Sequence, residues 1–140
     1  MGKIHCLKLS SALEHLPRFM DRVRQAARVL GVDPERTGHM ELAAEEAFVN
    51  ICKHGGPPGS VEIELSCLGG TDSLAVEIAD TGRPFDPLSR PEPDLKADIE
   101  HRAIGGLGVH LIKKLSDAVE YRRKDGRNIL RLTFRKERRQ

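Results

Sequence analysis

At 140 residues, with 31% charged and 39% hydrophobic side chains, the chain has the composition of one globular domain (residues 1–140). Such a chain buries roughly 70% of its unfolded surface without help from metals or disulfides. A net charge of +2 and an aromatic content of 4% argue against a nucleic-acid binder, and no apolar run approaches the length of a membrane span.

The N-terminus lacks the basic-then-apolar pattern of a secretory leader, so a cytoplasmic protein without membrane contact is expected. The three cysteines, Cys6, Cys52 and Cys67, are odd in number and match no zinc spacing; reduced, buried thiols are the expectation. Basic residues cluster at Arg122, Arg123 and Lys124 and again at Arg135, Lys136, Arg138 and Arg139. The second cluster reads as a solvated tail rather than a polyanion site.

Residues 3–9, KIHCLKL, alternate as a first strand, and Ser10 or Ser11 is placed to cap a helix over 13–30. That helix carries Leu16, Met20, Val23, Ala27 and Leu30 at core spacing and ends at Gly31. Asp33 and Pro34 supply an N-cap and a first-turn proline for the next helix, which stops at Gly55-Gly56-Pro57-Pro58. Gly38 weakens its first turns and sets the expected start of the regular part near His39.

Within this helix, residues 41–54, ELAAEEAFVNICKH, place Ala43, Ala44, Ala47, Phe48 and Ile51 on an apolar face. Glu46, Asn50 and His54 step by four along an adjacent stripe. A proton acceptor, a neutral oxygen suited to a hard cation and a hydrogen-bonding imidazole on one flank form a plausible phosphoryl-transfer set; a solvated helix face is the alternative.

Residues 61–68 and 74–80 are β-rich runs joined by Gly69-Gly70-Thr71-Asp72, an antiparallel hairpin. The segment from Asp80 to Pro87 follows directly. Pro84, Pro87, Pro91 and Pro93 exclude regular structure until about Leu95, so residues 86–104 read as a long loop of the kind that serves as a lid. A glycine-rich stretch, Ile104 to Ile112, then leads into a helix through Leu115 with Val109, Ile112 and Leu115 on one side.

Such a loop offers free backbone N–H groups to an anion, although the pattern is neither a Walker loop nor a dinucleotide fingerprint, and close helix packing is the other reading. Two last alternating segments, 118–123 and 128–134, flank an Asp125-Gly126 turn. The order β-α-α-β-β-lid-α-β-β predicts an α+β fold, a two-layer sandwich with three helices on one face of a mixed, mainly antiparallel sheet.

Three of these segments together resemble the GHKL ATPases, whose ATP-binding fold is shared by histidine kinases, gyrase-type ATPases and small anti-sigma-factor serine kinases. ELAAEEAFVNICKH is similar to the family's N-box, DTGRPFD to its first glycine box, and GGLGVHLIKKL to its second. The resemblance covers nearly the whole chain. It implies that Glu46 is the general base or water-orienting carboxylate and that Asn50 binds the Mg2+ bridging the ATP phosphates. It also implies that Asp80 accepts from the adenine amino group, that Gly82 lets the backbone approach the base, and that Gly105, Gly106, Leu107 and Gly108 line the triphosphate path. His54 matches a position near the phosphates. Pro84 stands where the first glycine box usually carries its second glycine, which implies a different turn beneath the nucleotide. Arg102 is a candidate for the γ-phosphate, with a solvated charge the preferred reading.

Within that family, 140 residues leave no room for the dimerisation domain of a histidine kinase or the transducer domain of a gyrase-type ATPase. The resemblance therefore implies an anti-sigma factor with serine/threonine kinase activity. It would use ATP and Mg2+ to phosphorylate a serine of an anti-anti-sigma (STAS) protein, would bind a sigma factor, and would work as a homodimer. The alternatives are a nucleotide-dependent partner-switch module without kinase activity and a stand-alone histidine-kinase catalytic domain.

Overall fold

A computed structural model describes residues 3–89 and 106–137. Five strands, β1 (Lys3–Ser10), β2 (Glu62–Gly69), β3 (Ser73–Asp80), β4 (Ala118–Lys124) and β5 (Arg127–Arg135), form one sheet in the order β1-β2-β3-β5-β4. Three helices, α1 (Leu16–Val29), α2 (Pro34–His54) and α3 (Gly106–Leu115), accompany it. All four ladders are antiparallel, so the expected mainly antiparallel sheet contains no parallel pair among the described residues.

The strands alternate, and the register aligns their apolar positions into rows. Leu9, Ile63, Leu7, Leu65, Cys67, Val76, Ile78, Leu130, Leu132 and Phe134 are all buried, whereas Lys8, Glu64 and Arg131 fall on the opposite face. The apolar face receives the helices. Phe19, Met20, Val23, Ala26 and Ala27 give α1 its buried stripe, and Met40, Ala43, Ala44, Ala47 and Phe48 give α2 its own. The Phe19 and Phe48 rings meet at 4.8 Å between centroids. Each such large side chain, once buried, contributes about 1.5–3 kcal/mol of transfer free energy. α2 lies between α1 and α3, in contact with both.

Several boundaries differ from expectation for local reasons. The first helix is interrupted: Leu13–His15 form a 3-10 turn, and the α-helix starts at Leu16 with Pro17 in its first turn. Neither Ser10 nor Ser11 caps it. Ser11 Oγ instead accepts from Val61 N at 3.2 Å, fastening the end of β1 to the start of the β2 hairpin. α2 is regular from Pro34, not from His39, because Asp33 Oδ1 caps Arg36 N at 2.8 Å and Arg36 and Met40 are buried, which outweighs the cost of Gly38. A 3-10 turn at Pro87–Ser89 lies inside the stretch expected to be irregular. The remainder of the expected lid, 90–104, is outside the described residues.

The β4–β5 connection has φ values of 52° at Asp125 and 75° at Gly126, the two positive angles of a type I′ hairpin turn. Of the cysteines, Cys67 is buried, with desolvation pushing its thiol up to about 12, and Cys52 is half-buried. Cys6, expected to be buried, is exposed because it sits on the edge strand one position out of phase with Leu7 and Leu9. Among the described residues no helix is long and apolar enough to cross a membrane.

Arg36 ties the far end of the sandwich together. Its guanidinium donates to Asp117 Oδ2, to the Arg135 carbonyl at 3.2 Å and to His39 Nδ1 at 2.7 Å, and it lies 5.8 Å from the Phe134 ring centroid. Asp117 also accepts from Arg135 N at 2.7 Å, so one pair joins α2, the α3–β4 junction and the end of β5. Arg36→Met is expected to cost about 2 kcal/mol, because Asp117 keeps one backbone donor and partial solvent access. Urea unfolding checks this; an unchanged midpoint would show that the clamp adds nothing.

Candidate functional site

At one end of the sheet the inward row stops being apolar. Asp80, the last residue of β3, sits across from Asn128 of β5, where the same rows elsewhere carry Ile78 with Leu130 and Val76 with Leu132. Both polar residues are 5% exposed. They form the floor of a cleft of about 450 Å³ lined also by Asn50, Ile51 and His54 of α2, by Arg83, Phe85 and Pro87 of the following loop, and by Ile112 and Tyr121.

Asp80 Oδ1 accepts from Gly82 N at 2.9 Å and from Asn128 Nδ2 at 3.0 Å. Burial pushes the Asp80 carboxyl above the ordinary carboxylate range; the Asn128 and Gly82 hydrogen bonds and the positive charges of Arg123 and Arg127 oppose that shift. No described residue occupies Oδ2 with a printed hydrogen bond, and the carboxylate faces the cleft as an acceptor.

The loop after β3 is fastened on both sides of Pro84. Arg83 N donates to Gly55 O at 3.1 Å, the Arg83 carbonyl accepts from Asn128 Nδ2 at 2.8 Å, and Phe85 N donates to Asn128 Oδ1 at 3.3 Å. Arg123 reaches across from β4 and donates to Gly82 O at 2.8 Å. The turn that replaces the second glycine is thus held by side chains rather than by its own N–H groups. Gly82 is required by space: a Cβ there would lie 2.9 Å from both Gly55 Cα and Gly55 O.

The α2 stripe divides between two places. Asn50 and His54 enter the cleft, and the His54 ring stacks on Phe85 at 4.7 Å and 11°. Asn50 is buried, and its Nδ2 has no partner. Glu46 lies one turn earlier, outside the cleft lining, half-buried against Gly108: a Cβ on Gly108 would collide with Glu46 Oε2. Gly106, Leu107 and Gly108 form the first turn of α3, not a loop before it, so the N-terminus of α3 approaches Glu46 because residue 108 has no side chain. Gly105 and Arg102 lie outside the described residues.

Asn128, Tyr121, Phe85 and Arg123 were not among the candidates drawn from the sequence. Only Asn128 left a local trace, as the one polar residue in the inward series that continues with Leu130, Leu132 and Phe134.

The family model of the histidine kinase-like ATPase domain matches residues 9–134, and the chain belongs to this family. It is 34% identical over 95 residues to the serine/threonine-protein kinase BtrW of Bordetella bronchiseptica, a match covering 67% of each chain. It is 34% identical over 97 residues to the serine-protein kinase RsbW of Listeria monocytogenes, covering 64% of this chain and 60% of that protein. The chain therefore spans about three fifths of the length of RsbW. Among solved structures, the RsbU and RsbW domains of Rv1364c from Mycobacterium tuberculosis superpose with a TM-score of 0.62 at 15% identity, over 93% of this chain and 32% of that one, a likeness of fold.

Two predictions follow from the geometry. Since burial raises the folded-state pKa of Asp80 above its unfolded value, its ionised form opposes folding above that raised value, and stability increases as pH falls through it. Asp80→Asn keeps an oxygen for Gly82 N and Asn128, so at pH 7.5 its unfolding temperature is expected to equal or exceed that of the unsubstituted protein, with the gain vanishing in acid; a lower temperature at pH 7.5 would contradict this. The two close glycines should respond differently. Gly82→Ala meets backbone and is expected to cost about 2 kcal/mol, whereas Gly108→Ala meets only the movable end of Glu46 and should remain within about 1 kcal/mol in denaturant unfolding.

Proposed function

We propose that this chain is an ATP-dependent serine/threonine protein kinase of the anti-sigma type, which transfers the γ-phosphate of ATP to a serine of an anti-anti-sigma (STAS) protein. The observation that carries the reading is the pairing, in one cleft, of a buried acceptor suited to an exocyclic amine, Asp80, with a buried amide whose Nδ2 has no protein partner, Asn50. An unsatisfied buried amide is costly in the free protein and is explained by a bound polar ligand. The names of the relatives, both protein kinases that act on serine or threonine, supply the reaction class.

In this reading Asp80 accepts from the 6-amino group of adenine, and Gly82 brings the loop backbone close enough to pack on the base. His54 and Phe85 offer a flat apolar wall beside it. Asn50 Oδ1 would hold Mg2+ and its Nδ2 a phosphate oxygen. Among the described residues no group of three His, Cys, Asp or Glu side chains could hold a metal by itself, which suits an ion bound chiefly through the substrate's phosphates. Mg2+ supplies charge neutralisation on those phosphates when bound.

The first turn of α3, with Gly105, Gly106, Leu107 and Gly108, presents backbone N–H groups to the triphosphate. Glu46, one helical turn from Asn50 on the same flank, orients the incoming serine hydroxyl and takes its proton. Such a reaction needs positioning and electrostatic stabilisation more than covalent chemistry. The protein would also bind a sigma factor in a nucleotide-dependent manner and act as a homodimer.

Titration calorimetry with ATP, with and without Mg2+, is the direct test, followed by transfer to STAS proteins of the same organism. Asn50→Ala is expected to weaken Mg2+-dependent binding at least about tenfold, whereas Glu46→Gln should bind ATP within about threefold of normal and lose at least about a hundredfold in transfer rate. Acid-stable phosphoprotein supports serine as acceptor. Acid-labile phosphoprotein would instead indicate transfer to histidine, and retained binding without any transfer would indicate a partner-switch module.

A further inference from the structure

Asn128 has two N–H groups and two acceptor lone pairs on its side chain, and the structure uses all four. Nδ2 donates to Asp80 Oδ1 at 3.0 Å and to the Arg83 carbonyl at 2.8 Å. Oδ1 accepts from Phe85 N at 3.3 Å and from the Tyr121 hydroxyl at 2.5 Å. Turning the amide over would set oxygen against Asp80 and the Arg83 carbonyl, and NH2 against the Phe85 N–H. Only one orientation satisfies the site.

The consequence falls on the base-binding surface. A buried asparagine beside a purine pocket could in principle offer an N–H to a 6-oxo group. Here both N–H groups are already engaged. Asp80 Oδ1 is likewise filled, by Gly82 N and Asn128, leaving the other oxygen to face the ligand. A 6-aminopurine can donate to that oxygen, while a 6-oxopurine would bring a second acceptor against it.

We propose that Asn128 is the positioning residue that makes the cleft selective for a 6-aminopurine over a 6-oxopurine, by fixing Asp80 so that the floor presents an acceptor and no free donor. This rests on the nucleotide-binding reading above and adds to it a residue that acts through Asp80 rather than on the base. Tyr121 holds the amide from β4, and the same amide closes the Pro84 loop, so base selectivity and loop geometry depend on one side chain. The other titratable groups around Asp80 are His54 from α2, Arg83 from the loop, Tyr121 and Arg123 from β4 and Arg127 from β5; β2 presents the uncharged Ile63.

The test is calorimetric titration of the full chain with ATP and with GTP, each with Mg2+, from pH 6 to pH 8.5, for the unsubstituted protein and Asn128→Asp. The substitution keeps shape and acceptors but removes both donors. It can serve Asp80 only while the two carboxyls share a proton. The ratio of its ATP dissociation constant to that of the unsubstituted protein is therefore expected to rise about tenfold from pH 6 to pH 8.5. Its preference for ATP over GTP should fall about tenfold. His54 and the ATP phosphates titrate in both proteins and cancel in that ratio. Thermal melting tests folding; should Asn128→Asp not fold, Asn128→Thr, whose single hydroxyl cannot serve all four partners, is expected to show the same loss of base preference. An unchanged preference and a pH-independent ratio, with ATP binding intact, would overturn this inference alone, as would equal binding of ATP and GTP by the unsubstituted protein. Binding of neither nucleotide by the unsubstituted protein would overturn the nucleotide reading and this inference with it.

Discussion

The structure depends on one arrangement: two polar residues, Asp80 and Asn128, face each other at the end of a sheet face that is otherwise apolar. Water cannot satisfy them there, so the protein must, and the partners it recruits define the cleft. The Gly82 N–H, the Arg83 carbonyl, the Phe85 N–H and the Tyr121 hydroxyl all converge on this pair. The loop after β3 acquires its shape from these bonds and from Arg83 N on the last turn of α2. A local sequence with a proline where a glycine is usual is therefore compatible with an ordered turn, because the restraint comes from β5 and not from the loop's own backbone.

The second constraint is the double duty of α2. Its apolar stripe is mostly alanine, with Ala43, Ala44 and Ala47 almost fully buried, and small side chains bring the helix axis close to its neighbours. That proximity places Asn50 and His54 over the sheet end rather than in solvent. The same economy operates on the other flank, where the absence of a side chain at Gly108 brings the first turn of α3 onto Glu46. Sequence composition thus acts on function through distance: alanines and a glycine set the gaps, and the gaps decide which polar groups can share a ligand.

Much of this was legible in the chain itself. The Asp33-Pro34 start of α2, the Gly55 stop and the Asp125-Gly126 hairpin are local signals that the structure follows. The step of four from Glu46 to Asn50 to His54 places three groups on one flank whatever the tertiary fold. Where expectation failed, tertiary contacts overrode local propensity: Gly38 does not delay α2 because Arg36 is anchored to Asp117 and Arg135. Ser11 does not cap a helix because the β2 hairpin claims its hydroxyl. Asn128 was missed for a related reason. Its partners are 43 to 48 residues away at Arg83, Phe85 and Asp80, or across a hairpin at Tyr121, so only the register of β3 against β5 reveals that a strand's first inward residue is a hub.

The placement of the cleft also follows from how the two faces of the sheet are finished. On the face away from the apolar rows, long charged side chains cover the strands: Arg131 pairs with Glu77 at 2.9 Å, and Lys8 and Arg127 approach Glu64 at 3.7 and 3.5 Å. Beneath them Ser66, Glu77 and Ala79 are buried without a second layer of secondary structure. On the helix side, core and cleft are continuous, since Ile78, Ile112 and Leu130 belong to the hydrophobic cluster and also line the cleft beside Asp80 and Asn128. The site is the end of the core in which two apolar positions have been exchanged for polar ones. A flat, mostly apolar ligand with one exocyclic donor completes that end as a side chain would, and this is why adenine suits it chemically: its faces replace missing core, and its amino group meets the acceptor that the core could not otherwise tolerate.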